Sequence, residues 1–285
     1  MDFTRNLALC LVASAQFVLC SASLDVPGTL IADSGSPPLN GIAHVAIRVK
    51  DLTASRAFYR KLGFEEAFVF DKEGTPTEAF LKVNDTQFIE LYPGKSGQET
   101  GFLHVCFESK DIATLNDFYE RRGLHPTPVK LAGAGNLLFT MRGPEQQNIE
   151  FTQYMPGSRH TLDIGKHLGS SRISDQIIGV AIPMKDVQSA SAFYASQMMF
   201  PRMNRQNNVE AFQIPGSPAQ EIELAPAASN NSTSLILGTP DLNQAATHIR
   251  ELGIAVRGQT DLLIHDPDGN VIQLRSLPSS RSSVP

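Results

Sequence analysis

The chain has 285 residues, length for about two domains, and its 41% hydrophobic and 19% charged residues are those of an ordinary globular protein. Its formal net charge is −5, its pI is near 5.8, and no cluster of lysine and arginine breaks that acidic balance. The electrostatic footprint of a nucleic-acid binder is missing, which excludes nucleic acid as a partner.

At the N-terminus, Arg5 precedes an apolar run from Leu7 to Leu19, and the small residues Ser21-Ala22-Ser23 follow. That order predicts a secretory signal peptide over 1–23, cleaved after Ser23, and hence a secreted or periplasmic protein. The run is shorter than the about 20 residues of a membrane span, so no stable membrane insertion is expected after processing. Processing removes Cys10 and Cys20 and leaves Cys106, so no internal disulfide is expected. Residues 24–40, rich in Gly, Ser and Pro, read as a flexible N-terminal segment, 155–175 as a linker, and 277–285 as a flexible tail.

From Ile42 to Val49 the residues alternate, with Ile42, His44, Ala46 and Arg48 on one face and the purely apolar Ala43, Val45, Ile47 and Val49 on the other. This is a strand with its apolar face on a core. Asp51 then caps a helix over 52–61, whose Ala54, Ala57, Phe58 and Leu62 recur at helical spacing, and Gly63 supplies the left-handed stop. Three shorter strands are predicted near 65–70, 78–83 and 87–92, parted by the turn-formers Asp71-Lys72-Glu73-Gly74 and Asn84-Asp85. In the last strand Phe88, Glu90 and Tyr92 share one face. The unit is βαβββ.

The unit then recurs. His44 returns as His104 and Glu90 as Glu150, both 60 residues on, and Asp51, Phe58-Tyr59 and Gly63 return as Asp111, Phe118-Tyr119 and Gly123. Each acid lies on the strand face that carries a histidine, and Cys106 shares the face of His104. Two worn copies follow: Lys185-Asp186 with Phe193-Tyr194, and Asp241 with Gly253. There the positions equivalent to His44, Glu90, His104 and Glu150 read Gly179, Glu223, Ser234 and Gln273, so one chemical set is complete and the other has lost three of four members.

The expected fold is α+β: four βαβββ modules forming two domains, 41–154 and 176–276, each a cupped mixed sheet with its helices outside. The sequence leaves open which modules share a cup: the first with the second, each with a module of the other half, or each with another chain, which would make a homodimer. Asp266-Pro267-Asp268-Gly269 reads as a turn before the last strand, without the spaced acids of a calcium loop. His125, His160, His167, His248 and His265 fall in loops, the linker or the worn modules and are expected to be solvated. Glu223 is expected to be a solvated or hydrogen-bonded remnant.

Two imidazoles and two carboxylates pointing into one half-buried apolar cup would repel as bare acids. They form a natural site for one divalent metal ion, with His44, Glu90, His104 and Glu150 as ligands. Arg48, Phe88 and Tyr92 stand toward the mouth of the cup, as lining of a substrate pocket or as simple packing. Cys106 has the same two readings, pocket lining or a small buried hydrophobe.

With these residues in place, His44-Val45-Ala46-Ile47, Ala57-Phe58-Tyr59, Leu62-Gly63-Phe64, Ile89-Glu90-Leu91, Leu103-His104-Val105 and the run from Asp266 to Leu274 resemble the vicinal oxygen chelate superfamily. Glyoxalase I, extradiol dioxygenases, methylmalonyl-CoA epimerase and the bleomycin- and fosfomycin-resistance proteins belong to it. The resemblance covers about 41–154 and 176–276 and implies two glyoxalase-like domains, the second degenerate. The His, Glu, His, Glu order is similar to that of glyoxalase I. It implies a metal-dependent isomerase or lyase acting on a small oxygen-chelating molecule, with Zn, Ni, Co, Mn or Fe as the ion, Glu150 as catalytic base and Glu90 as its partner. A glutathione adduct is not the implied substrate, because no basic cluster faces the cup and Arg48 is the only cation on its ligand strands. Two further readings stand beside this one. The first is an Fe(II) extradiol-type dioxygenase using His44, His104 and Glu150, and the second is a non-catalytic small-molecule binding protein of the resistance type.

Overall fold

The computed structural model describes residues 35–204, 209–228 and 232–277. The expected signal peptide (1–23), residues 24–34 of the N-terminal segment and 278–285 of the tail lie outside the described residues. In the first half β1 (Gly41–Val49), α1 (Leu52–Lys61), β2 (Glu66–Lys72), β3 (Thr75–Lys82) and β4 (Phe88–Pro93) make one module. β5 (Gly101–Glu108), α2 (Ile112–Glu120), β6 (Lys130–Leu131), β7 (Leu137–Arg142) and β8 (Asn148–Gln153) make its repeat. After a one-turn helix α3 (Arg159–Leu162), the second half runs β9 (Gln176–Met184), α4 (Val187–Ala192), β10 (Arg202–Met203), β11 (Glu210–Ile214) and β12 (Ser217–Pro226). It closes with β13 (Ser234–Thr239), α5 (Leu242–Glu251), β14 (Leu262–His265) and β15 (Val271–Ser276).

The strands form two curled mixed sheets, β2-β3-β4-β1-β5-β8-β7-β6 and β10-β11-β12-β9-β13-β15-β14. The first two modules therefore close on each other in one sheet and the last two in the other, which answers the question of pairing. In both sheets the two central strands are antiparallel (β1 with β5, β9 with β13) and each is flanked by a parallel partner (β4, β8, β12 and β15).

Asp51 caps α1 as expected, its carboxylate accepting from the Ala54 N–H at 3.0 Å, and Gly63 ends it with φ +88°. The buried face of that helix is not the expected one. Leu52, Ser55, Tyr59 and Leu62 turn inward, while Ala54 and Ala57 are exposed and Phe58 is only half-buried. The tyrosine decides the rotation: its ring is fully buried and its hydroxyl needs a partner, which Asp266 of the other half supplies at 3.4 Å. Tyr119 and Tyr194, at the same place in α2 and at the end of α4, are equally buried.

The two halves are joined by a pseudo-twofold pair of contacts. Gln87 accepts from the Ile177 N–H at 2.8 Å and donates to the Ile177 and Ile42 carbonyls, and its counterpart Gln220 accepts from the Ile42 N–H at 2.6 Å. The turn Asp266–Asn270 reaches Tyr59 and the Lys50 N–H, while the matching turn of the first half sends Glu145 to the Lys185 and Asp186 N–H groups and Gln147 to Tyr194. Asp266 accepts from the Asp268 and Asn270 N–H groups at 2.9 Å, so this segment is the expected turn.

The described end of the segment expected to be flexible is packed, and so is the expected linker. Leu39 is in the core and the Ser109 hydroxyl donates to the Pro38 carbonyl at 2.6 Å, so packing extends ahead of β1. Within 155–175 the fully buried Lys82 ammonium donates to Asp163, holding the linker down on the first sheet. Among the described residues no helix is long and apolar enough to cross a membrane.

Candidate metal centre

Each central strand of the first sheet contributes one ligand-type side chain to the concave face: Glu90 from β4, His44 from β1, His104 from β5 and Glu150 from β8. The register brings them together. His44 lies opposite Cys106, which lies opposite Glu150, while Glu90 and His104 both lie opposite Ala46. Ala46 is fully buried and ends in a methyl, so the longer side chains on either side of it lean over toward the His44 ring.

His44 is the hub. Its Nδ1 stands 3.1 Å from Glu90 Oε1, and its Nε2 stands 3.0 Å from His104 Nε2 and 3.4 Å from Glu150 Oε1. All four side chains are largely shielded, with Glu150 the most accessible at 15% of its side chain. Beyond Glu90, the Tyr92 hydroxyl lies 3.1 Å from its Oε2 and 2.5 Å from Glu78 Oε1. One hydroxyl has one proton to donate, so the tyrosine bridges two acids only if one of the carboxyls keeps its own.

The electrostatics agree. Burial, reinforced by Glu78 and Glu150, pushes Glu90 up to about 8, and burial also raises Glu78. Burial works against the charged form of His44, but Glu90, Glu150 and Glu78 outweigh it and the ring ends above its ordinary value. Burial and the neighbouring His44 push His104 down to about 4, so the short contact between the rings joins an imidazolium donor to a neutral acceptor. Burial would raise Glu150 too, yet its hydrogen bond to His44 leaves it below the usual carboxylate range.

This donor set fits a divalent cation. Three acids share a buried space, and among the described residues no lysine or arginine pairs with any of them; they contact His44 and Tyr92, and Lys130 lines the same cavity without pairing to them. Two cis ligands each about 2.1 Å from a metal stand about 3.0 Å apart in octahedral and about 3.4 Å in tetrahedral geometry. Those are the separations of His44 Nε2 from His104 and Glu150. Glu90 lies against the opposite ring nitrogen of His44, and ligand atoms of Glu90, His44 and His104 also lie within 4.8 Å of one another, close enough to share one ion.

Beside the centre is a cavity of about 490 Å³, lined by His44, Glu90 and Glu150 together with Phe70, Phe80, Leu138 and Tyr154. Of the four expected pocket residues, Tyr92 lines it. Phe88 is fully buried beneath the His160 ring, and Cys106 is fully buried in the ligand row, its sulfur grouped with His44 and Glu150 donor atoms within 4.8 Å of one another. Arg48 sends its guanidinium to the Glu99 carbonyl at 3.4 Å, outside the cavity lining, so it is not a cup-facing cation. The second half brings together Glu221, Glu223 and Arg275, described below, and Glu223 is an ion-paired residue.

Glu78 and His160 are among the cavity residues that the sequence reading did not anticipate. Glu78 had a signal, since Glu78, Phe80 and Lys82 alternate on β3 and Phe80 pairs with Glu90. His160, expected to be solvated, is 4% exposed and belongs to the cavity wall; no local pattern announces it, because α3 folds back over a cup built from distant strands.

Residues 41–151 match the family model described as the Glyoxalase/Bleomycin resistance protein/Dioxygenase superfamily. No curated protein sequence matches the chain. Among solved structures, the Mn(II)-bound glyoxalase from Novosphingobium aromaticivorans is similar with TM-score 0.66 at 15% identity, over 85% of this chain and 83% of that one. The 2,3-dioxygenase LapB from Pseudomonas sp. KL28 is similar with TM-score 0.66 at 13% identity, over 85% of this chain and 93% of that one. A catechol 2,3-dioxygenase gives 0.65 at 14%, over 84% and 88%. At these identities the likeness is one of fold.

Proposed function

From the match of residues 41–151 to the glyoxalase/bleomycin resistance protein/dioxygenase family model, we propose that the first cup is the centre of a metal-dependent enzyme of that superfamily. The metal is one divalent ion held by His44, His104, Glu150 and Glu90, and the reaction is isomerase or lyase chemistry on a small molecule that chelates through adjacent oxygens. The observation that carries this reading is the set of buried acids and histidines gathered around His44 at ligand-to-ligand distances, with no lysine or arginine paired to the acids among the described residues. Such an ion polarises a carbonyl, acidifies the neighbouring C–H and stabilises the oxyanion that forms. Glu150 is the most accessible of the four and borders the cavity, which supports it as the base that takes that proton; Glu90, held by His44 and Tyr92, borders the same space and serves as its partner. The aromatic walls exclude water from the body of the substrate.

The test is metal analysis of wild-type protein beside a Glu90→Gln/Glu150→Gln double variant. About one ion per chain in the first and little in the second is expected. Equal content in both sinks the site. We further propose that the protein is exported, which N-terminal sequencing of the mature form would support by reading from Leu24.

One feature favours a second reading. The Nε2 side of His44 gathers two histidines and one carboxylate, with Glu90 set apart on Nδ1, and a two-histidine, one-carboxylate set is the pattern of Fe(II) oxygenases. The solved neighbours include a catechol 2,3-dioxygenase and an extradiol ring-cleaving dioxygenase. Oxygen consumption with a catechol by iron-loaded protein would select this reading, and anaerobic turnover would select the first.

A further inference from the structure

α3 begins at Ser158, whose hydroxyl accepts from the Thr161 N–H at 3.3 Å, and presents His160 to the first cup. The ring stands edge-to-face against Phe68, Phe80 and Phe88, with centroids 5.0, 5.4 and 4.7 Å away, and stacks on Tyr154 at 5.0 Å. Asn136 fixes its tautomer. The Asn136 Oδ1 accepts from the Met155 N–H at 3.3 Å, so the amide nitrogen is the atom turned to the ring, and it donates to Nδ1 at 2.8 Å. A nitrogen that accepts carries no proton, so the ring proton sits on Nε2. Burial, with His44 adding to it, holds the ring down to about 3, so it is neutral in working conditions.

That Nε2 is buried and has no hydrogen-bond partner. A buried N–H without an acceptor is uncommon in folded proteins and calls for an explanation. Here the ring is part of the wall of the cavity that His44, Glu90 and Glu150 also line. We propose that His160 is a specificity-determining residue of this cup, its Nε2–H donating to a carbonyl oxygen on the body of a planar ligand whose adjacent oxygens are bound beside His44. The inference rests on the metal-chelate reading given above. It deepens that reading by naming what the ligand carries besides its chelating oxygens: a flat, aromatic or conjugated body with a further, neutral oxygen acceptor. Phe70, Phe80 and Tyr154 supply flat faces for such a body, and an uncharged donor matches a carbonyl.

The test uses the full chain loaded with Zn(II) and two catechols of similar size, 3,4-dihydroxyacetophenone and 4-ethylcatechol, which differ in the distal carbonyl. Affinities are measured by calorimetry. The preference for the ketone over the alkyl compound should fall about tenfold in His160→Leu and be partly kept in His160→Gln, which retains an N–H donor. In wild-type protein the Nε2–H proton resonance should move on adding the ketone and stay in place with the alkyl compound. A preference unchanged in His160→Leu, an equal loss of both ligands, or a resonance indifferent to the ketone overturns the proposal. Failure of both catechols to bind Zn-loaded wild type overturns the chelate reading, and this inference with it. The resonance needs no variant, so a His160→Leu protein that did not fold would leave the test standing.

Discussion

The two cups are built to one register and hold their buried acids in opposite ways. Gly179 stands where His44 stands, Glu223 where Glu90 does, and Ser234 and Gln273 where His104 and Glu150 do, as the strand pairings place them. In the second cup Arg275 reaches from β15 across the floor to β12. Its guanidinium makes two parallel bonds to Glu223 at 2.7 and 2.8 Å and one to Glu221 at 3.0 Å. Gly179 leaves no room for a histidine there, since even a Cβ would come within 2.8 Å of the Glu221 carbonyl oxygen. In the first cup the counterpart of Arg275 is Thr152, a short side chain in the cavity wall, and the counterpart of Gly179 is an imidazole. Both floors carry buried glutamates. One pairs them with a cationic side chain of its own; in the other, among the described residues, no lysine or arginine pairs with them and an open cavity lies beside the ligand set.

If that contrast is correct, its largest consequence is in the second cup. Arg275→Met takes the guanidinium from two glutamates that are only 6–7% exposed, and removing one partner of a buried ion pair costs about 3–5 kcal/mol. Urea unfolding should show that loss, and adding Glu221→Gln and Glu223→Gln should return much of it. A loss below about 1 kcal/mol would mean that the arginine does not balance the acids.

A smaller effect is expected from moving the arginine to the other cup. Thr152→Arg places a guanidinium in the cavity beside Glu90 and Glu150, where it competes with a metal for the same carboxylates. A metal present at a hundred times its dissociation constant stabilises wild-type protein by about 2.7 kcal/mol. In Thr152→Arg that metal-dependent rise in thermal midpoint should vanish while the metal-free fold survives. An undiminished rise would show that the cavity and the ligand set are independent.

The contrast itself was half legible in the sequence. The 60-residue repeat named all four ligand-type residues of the first cup and the four positions they would have held in the second, because strand alternation and module spacing fix which face each residue takes. Arg275 was not legible: it lies two residues beyond Gln273, and its partners lie 52 and 54 residues away on another strand. The same limit explains α1, where hydrophobicity favoured Ala54, Ala57 and Phe58 but the buried stripe is set by a tyrosine with a partner in the other half. His160 failed for a related reason. Its segment has the composition of a linker, and only the closed sheet beneath it makes the segment a wall.

The smallest and most discriminating effect is on pH. Glu90 titrates at about 8 in the fold against 4.5 for an ordinary carboxyl, so between these values the folded protein holds a proton that the unfolded chain has released. Stability then falls as pH rises, since the folded state binds more protons in that window. Glu90→Gln has no such proton. Metal-free wild type should match the variant near pH 5 and lose ground to it toward pH 8, by on the order of 2 kcal/mol. His44 works in the same direction, because its own raised value rests in part on Glu90 and their favourable pairing fades as its proton leaves. Saturating divalent metal should flatten the difference, because the ion then supplies the charge that Arg275 supplies in the other cup. Chelator-treated proteins whose stability difference stays constant from pH 5 to 8 would show that Glu90 is already balanced without a metal, and the contrast between the two cups would fail at its central residue.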